Sequence, residues 1–80
     1  MKEKWTVKEA VKLAKLYKAK FIAMDGNGDI YLYDVMPIPS SNYKISECWE
    51  VDYQDEFICI GEAKGSWPRW DKSLIDVGSL

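Results

Sequence analysis

Apolar residues recur at helical spacing near the start of the chain: Val7, Ala10, Val11, Ala14 and Tyr17, with Leu13 widening the stripe. Lys8, Lys12 and Lys15 fall on the opposite side. Thr6 precedes the run and Glu9 follows three residues later, the pairing in which hydroxyl and carboxylate satisfy the free backbone donors of a helix start. The spacing predicts a helix over 7–19 capped by Thr6, with Trp5 placed to staple onto Ala10. Lys18 and Lys20 lie near its C-terminal end, where cations complement the helix dipole.

The period then changes. "KFIAM" and "IYLYD" are short runs of strand-forming residues separated by Asp25, Gly26, Asn27 and Gly28, a hairpin signal because the primed turns need positive φ. A two-residue loop, centred on Gly26-Asn27 or on Asn27-Gly28, sets Phe21 and Ala23 on one face with Ile30 and Leu32. Ile22, Met24, Tyr31 and Tyr33 then share the other. Both faces are largely apolar, so a helix covers one and another element must cover the second. Asp25, Asn27 and Asp29 alternate as in a calcium loop, but Ile30 stands where such a loop needs glycine and Met36 where it needs a bidentate glutamate.

Pro37, Pro39, Ser40, Ser41 and Asn42 predict a loop. "KISECWEVDY" alternates, with Ile45, Trp49, Val51 and Tyr53 on one side, and predicts a strand with one wet face that Glu47 interrupts. After a turn at Gln54 and Asp55, the continuous apolar run "EFICIG" predicts a central strand buried on both faces. Ser66 and Pro68 open a short helical turn reaching about Leu74. Trp67, Trp70, Leu74 and Ile75 are then placed to cover the second sheet face. The resulting expectation is one α+β domain over 1–80: an N-terminal amphipathic helix on an antiparallel sheet of about four strands in two hairpins, closed by a short C-terminal helical turn.

Composition narrows the chemistry. At 48% hydrophobic, with four Trp and five Tyr, the chain is far too apolar for intrinsic disorder. No apolar run reaches the roughly 18 residues that cross a bilayer, and no apolar leader is present, which points to the cytoplasm. Cys48 and Cys59 supply neither a disulfide framework nor, without any histidine, a zinc site; both read as buried thiols, and a cross-strand bridge between them depends on a register the sequence leaves open. The net charge of −2 divides into a basic first twenty residues and an acidic remainder. No Walker-type or dinucleotide glycine pattern occurs, and the carboxylate pairs fall in turns, so no catalysis, metal or cofactor is expected.

The run "FIAMDGNGDIYLY", followed by Pro37, Trp49, the "ICIG" strand and W-x-x-S-L at Trp70, Ser73 and Leu74, resembles a group of small proteins encoded in tailed-phage and prophage genomes. The resemblance covers residues 21–74. It implies a host-cell setting and, by analogy with small accessory phage proteins, binding of a host factor; it implies no catalytic residues. From composition, Tyr31, Tyr33, Trp67, Arg69 and Trp70 are the candidate protein-binding residues, because interfaces favour Trp, Tyr and Arg. Inhibition of the host protein, or acidic mimicry of nucleic acid toward a basic one, falls within that reading. The alternative is a nucleic-acid or nucleotide-binding module in which Lys8, Lys12 and Lys15 follow phosphates and aromatics stack on bases.

Overall fold

The computed structural model describes residues 3–40, 47–52 and 56–80. Their architecture is α+β. One helix, α1 (Val7–Leu16), packs on a five-stranded sheet built from β1 (Lys4–Trp5), β2 (Phe21–Met24), β3 (Asp29–Tyr33), β6 (Phe57–Ala63) and β7 (Ile75–Asp76). The order across the sheet is β1-β6-β3-β2-β7. β4 (Ile38–Pro39) and β5 (Trp49–Glu50) form a separate two-stranded ribbon.

Helix α1 begins as its sequence predicts. The Thr6 hydroxyl accepts from Glu9 N–H at 3.2 Å and the Glu9 carboxylate accepts from Thr6 N–H at 2.9 Å. It ends three residues before position 19, because Lys18 turns left-handed (φ 59°). Ala19 N–H then bonds to Ala14 O at 2.9 Å and Lys18 N–H to Lys15 O at 3.2 Å, closing the last turn with a lysine where glycine is usual.

The β2–β3 hairpin forms, but its register reverses the predicted faces. Phe21 pairs with Tyr33, Ile22 with Leu32, Ala23 with Tyr31 and Met24 with Ile30. Asp25 N–H bonds to Asp29 O at 2.9 Å, so the loop has three residues, Gly26 to Gly28, rather than two. With side chains alternating every residue, one extra loop residue moves a whole strand to the other face. Gly28 (φ 93°) supplies the left-handed step that the longer loop requires. Ile22, Ile30 and Leu32 therefore face Ala10 and Ala14 of α1, and Val77 completes that cluster. Ala23 and Tyr33 face the other way and pack with Trp49 and Trp70.

Among the described residues the second predicted hairpin is not found, and the sheet is mixed rather than antiparallel. The Trp49 segment is drawn across the first hairpin's loop: Gly26 N–H bonds to Glu47 O at 2.6 Å and Trp49 N–H to Asp25 Oδ1 at 3.1 Å. β5 consequently pairs with β4, not β6. The remainder of the predicted 44–53 strand, the Gln54–Asp55 turn and Ser41–Asn42 lie outside the described residues, apart from Glu47–Asp52. β6 pairs antiparallel with β3 instead, with a bulge between Ile30 and Tyr31, and β1 joins it in parallel at Glu62 and Ala63. Gly61 (φ 134°) permits that approach, since a Cβ there collides with the Glu3 carbonyl. β6 is thus not buried on both faces: Phe57, Ile58 and Cys59 are exposed, which also corrects the reading of Cys59 as a buried thiol.

The C-terminal segment does cover the second face, through Trp70 and Leu74, whereas Trp67 and Ile75 pack on the helix side. Its helical turn is a single 3-10 turn at Trp70–Lys72. The W-x-x-S-L residues clip it to the edge of β2: Met24 N–H donates to Ser73 Oγ at 2.9 Å, and Ser73 Oγ lies 2.7 Å from Trp70 O. Ser73 Oγ also lies 3.1 Å from Met24 O, and the Trp49 indole N–H donates to the same two carbonyls, at 2.9 Å to Trp70 O and 3.2 Å to Met24 O. Ser73 is only 1% exposed, so removing its hydroxyl leaves the Met24 N–H without its acceptor. Ser73→Ala is expected to cost about 1–3 kcal/mol in urea denaturation, whereas Ser66→Ala, at an exposed position, changes stability by less than about 0.5 kcal/mol.

Candidate functional site

The residues that sequence reasoning selected do not gather on one surface. Tyr33 is 3% exposed and Trp70 7% exposed, both within the aromatic layer. Trp70 stands edge-on to Trp49, ring centroids 6.3 Å apart. Tyr31 is half-buried beside them. Trp67 is half-buried on the opposite side of the sheet, donating its indole N–H to Trp5 O at 3.0 Å. Arg69 is exposed and its Nε sits 3.3 Å from Asp71 Oδ1. A joint Trp67–Arg69–Trp70 anchor is therefore not assembled. Lys8, Lys12 and Lys15 are all exposed along α1, and Lys12 and Lys15 border an open apolar groove with Trp5, Leu13 and Leu16.

Three of the four indoles act as staples between distant segments. Trp5 Nε1 donates to Ile60 O at 2.6 Å, Trp67 Nε1 to Trp5 O and Trp49 Nε1 to Trp70 O. Buried tryptophan carries a large apolar area with one donor to satisfy, and here that donor reaches a backbone carbonyl of another segment.

The structure brings together a different set, at the outer edge of β6. Phe57 is 55% exposed and Ile58 50% exposed, and Tyr17, just past α1, is 59% exposed. The backbone alternation fixes which peptide groups look outward. The Asp25–Asp29 bond makes Asp25, Ala23 and Phe21 the hydrogen-bonded partners of Asp29, Tyr31 and Tyr33, so Ile30 and Leu32 turn their peptide groups toward β6. Leu32 opposes Ile58, which leaves the N–H and C=O of Phe57 and Cys59 pointing away from the sheet. Further along, Glu62 N–H also points outward and bonds to Glu3 O at 2.8 Å, where β1 takes up the edge. Ile60 O is taken by the Trp5 indole. Among the described residues no strand pairs with the outer edge at Phe57–Cys59.

Each face of the sheet carries a cleft that includes β6 residues. On the helix side, a cleft of about 250 Å³ is lined by Tyr17, Ala19, Leu32, Asp34, Glu56, Phe57 and Ile58. On the aromatic side, one of about 310 Å³ includes Asp25, Tyr31, Tyr33, Trp49, Glu50 and Phe57. Phe57 packs against Tyr31 and Tyr33 with ring centroids 5.7 and 5.9 Å away. Among the described residues, four carboxylates line the two clefts and no lysine or arginine lines either. Burial pushes the Asp25 carboxyl above its ordinary value, partly opposed by the hydrogen bond from Trp49 N–H. Burial also raises the Tyr33 phenol above its ordinary range, so Tyr33 stays protonated throughout the neutral range.

Tyr17, Asp34, Glu56, Phe57 and Ile58 escaped sequence reasoning. The apolar "EFICIG" run reads equally well as a central strand; a signal against that was the weak turn preceding it, Gln54-Asp55 with no glycine. No family model, no curated protein and no solved structure matches this chain.

The raised Asp25 pKa has a sign that experiment can check. A carboxyl whose folded pKa lies above its unfolded one contributes stability fully present below the unfolded value and lost as pH rises through the folded one. Asn at position 25 keeps an acceptor for Trp49 N–H and has no titration. Asp25→Asn is expected to gain stability relative to the wild type between pH 3 and pH 6, read by urea denaturation of both proteins. An unchanged difference, or a relative gain by the wild type, contradicts the assignment.

Proposed function

We propose that the chain is a non-catalytic binding module that engages another protein, a host protein by the phage-protein resemblance, through the edge of β6 that no described strand pairs and the clefts that include its residues. The observation that carries this reading is the exposure of Phe57, Ile58 and Tyr17 as neighbours around one cleft in a chain of 80 residues. Small domains rarely leave large apolar side chains exposed along a strand edge that no described strand pairs without a use for them. Inhibition of the bound protein follows the same analogy with accessory phage proteins. The lysine face of α1 favours the second reading, nucleic-acid binding, because Lys8, Lys12 and Lys15 are all solvent-facing.

One capture experiment separates the two. The wild type, a Phe57→Ser/Ile58→Asp variant and a Lys12→Glu/Lys15→Glu variant are immobilised, with folding checked by circular dichroism, and exposed to host cytosol with and without nuclease. The expected result is a protein retained by the wild type and the lysine variant and bound at least about tenfold more weakly by the edge variant, as for loss of a central interface anchor. Retention that follows Lys12 and Lys15 and vanishes with nuclease supports the nucleic-acid reading instead.

A further inference from the structure

Resting on the protein-binding reading, the geometry points to a specific mode: an extended segment of the partner, apolar with cationic side chains, adds to β6 as a further strand. Two independent features define that occupant. The first is the row of outward peptide groups at Phe57 and Cys59, fixed by the ladder, which only an extended backbone satisfies in register. The second is charge. A strand added there sends successive side chains alternately to the two faces of the sheet, one set toward Ile58 and the cleft it lines on the helix side, the other toward Phe57 on the aromatic side. Asp34 and Glu56 line the helix-side cleft, Asp25 and Glu50 the aromatic-side one.

The clefts suit side chains with an apolar stem and a cationic head. On the helix side, Leu32, Ala19 and Ile58 provide apolar wall, the Tyr17 ring stands beside them, and the carboxylates of Asp34 and Glu56 are within the same lining. Lysine and arginine bury their methylenes along such surface while the head stays near acceptors, and an aromatic face adds cation–π attraction. A helix docking in the same place leaves the Phe57 and Cys59 peptide groups unmatched. A second copy of this chain places its own acidic edge against this one, since Glu56 flanks β6 at one end and Glu62 lies in it at the other. The added strand is bounded where β1 takes over the edge at Glu62, so it is short, about three to five residues of pairing over the free length of β6.

The test uses two synthetic heptapeptides, one alternating valine with arginine and one alternating valine with glutamate, titrated into the isotopically labelled full chain and followed by amide chemical shifts. The expected result is that the arginine peptide perturbs the amides of Glu56–Cys59 and Asp34 and binds at least about fivefold more tightly than the glutamate peptide, the scale of a few exposed ion pairs. Asp34→Lys/Glu56→Lys, both exposed positions, is expected to reverse that preference. Equal affinity for the two peptides, no perturbation of these amides, perturbation centred on Lys12 and Lys15, or a dimer by sedimentation with β6 already covered overturns the proposal. Its failure is distinguishable from that of the broader reading. A captured host protein that binds the wild type and Asp34→Lys/Glu56→Lys alike sinks strand addition and leaves protein binding standing.

Discussion

The register of the β2–β3 hairpin is the constraint on which the remaining structure depends. Three residues rather than two in its loop set Ile22, Ile30 and Leu32 against α1 and turn Ala23, Tyr31 and Tyr33 to the aromatic side. The same parity decides where each backbone hydrogen bond goes. It aims the peptide groups of Met24 outward, where the Ser73 hydroxyl and the Trp49 indole meet them, and those of Leu32 toward Ile58. A shift by one residue loses both layers of the core and the C-terminal clip together.

A chain of 80 residues has little interior, and it joins its segments with large side chains that also satisfy backbone groups. Trp49 seals one side of β2 by reaching Met24 O and Trp70 O, and Ser73 supplies the hydroxyl beside it. Trp5 and Trp67 do the same on the helix side, tying β1 to β6 and the Gly65–Pro68 stretch to β1. At the far edge the indole of Trp5 stops at Ile60, and among the described residues no such staple reaches the three residues before it. The contrast between a clipped β2 edge and a β6 edge that no described strand pairs at Phe57–Cys59 is what makes β6 the proposed binding surface.

Much of this was legible in the sequence, and the limits have physical causes. The capping box at Thr6 and Glu9 is a local pattern and located the helix start. The Asp/Gly turn located the first hairpin, and the alternation of apolar residues located its strands. Loop parity was not legible, because Asp25-Gly26-Asn27-Gly28 offers glycine at either of two positions and the choice rests on the Asp25–Asp29 bond. The partner of β6 was not legible either, since it depends on Trp49 and Glu47 docking onto the hairpin loop, a contact between segments more than twenty residues apart. The tryptophans were visible as a surplus, but their use as backbone staples rather than as surface anchors follows only from the fold. The site residues Phe57 and Ile58 were read as core for the same reason.

Hydrogen exchange at three consecutive amides of the free protein tests the register and the open edge at once. With Leu32 opposite Ile58, the Ile58 N–H lies in the ladder and exchanges slowly, while the N–H groups of Phe57 and Cys59 face outward and exchange fast. Slow exchange at all three shows an edge already covered. Slow exchange at Phe57 and Cys59 with fast exchange at Ile58 shows a register displaced by one residue, and either result contradicts the proposed strand-edge binding surface.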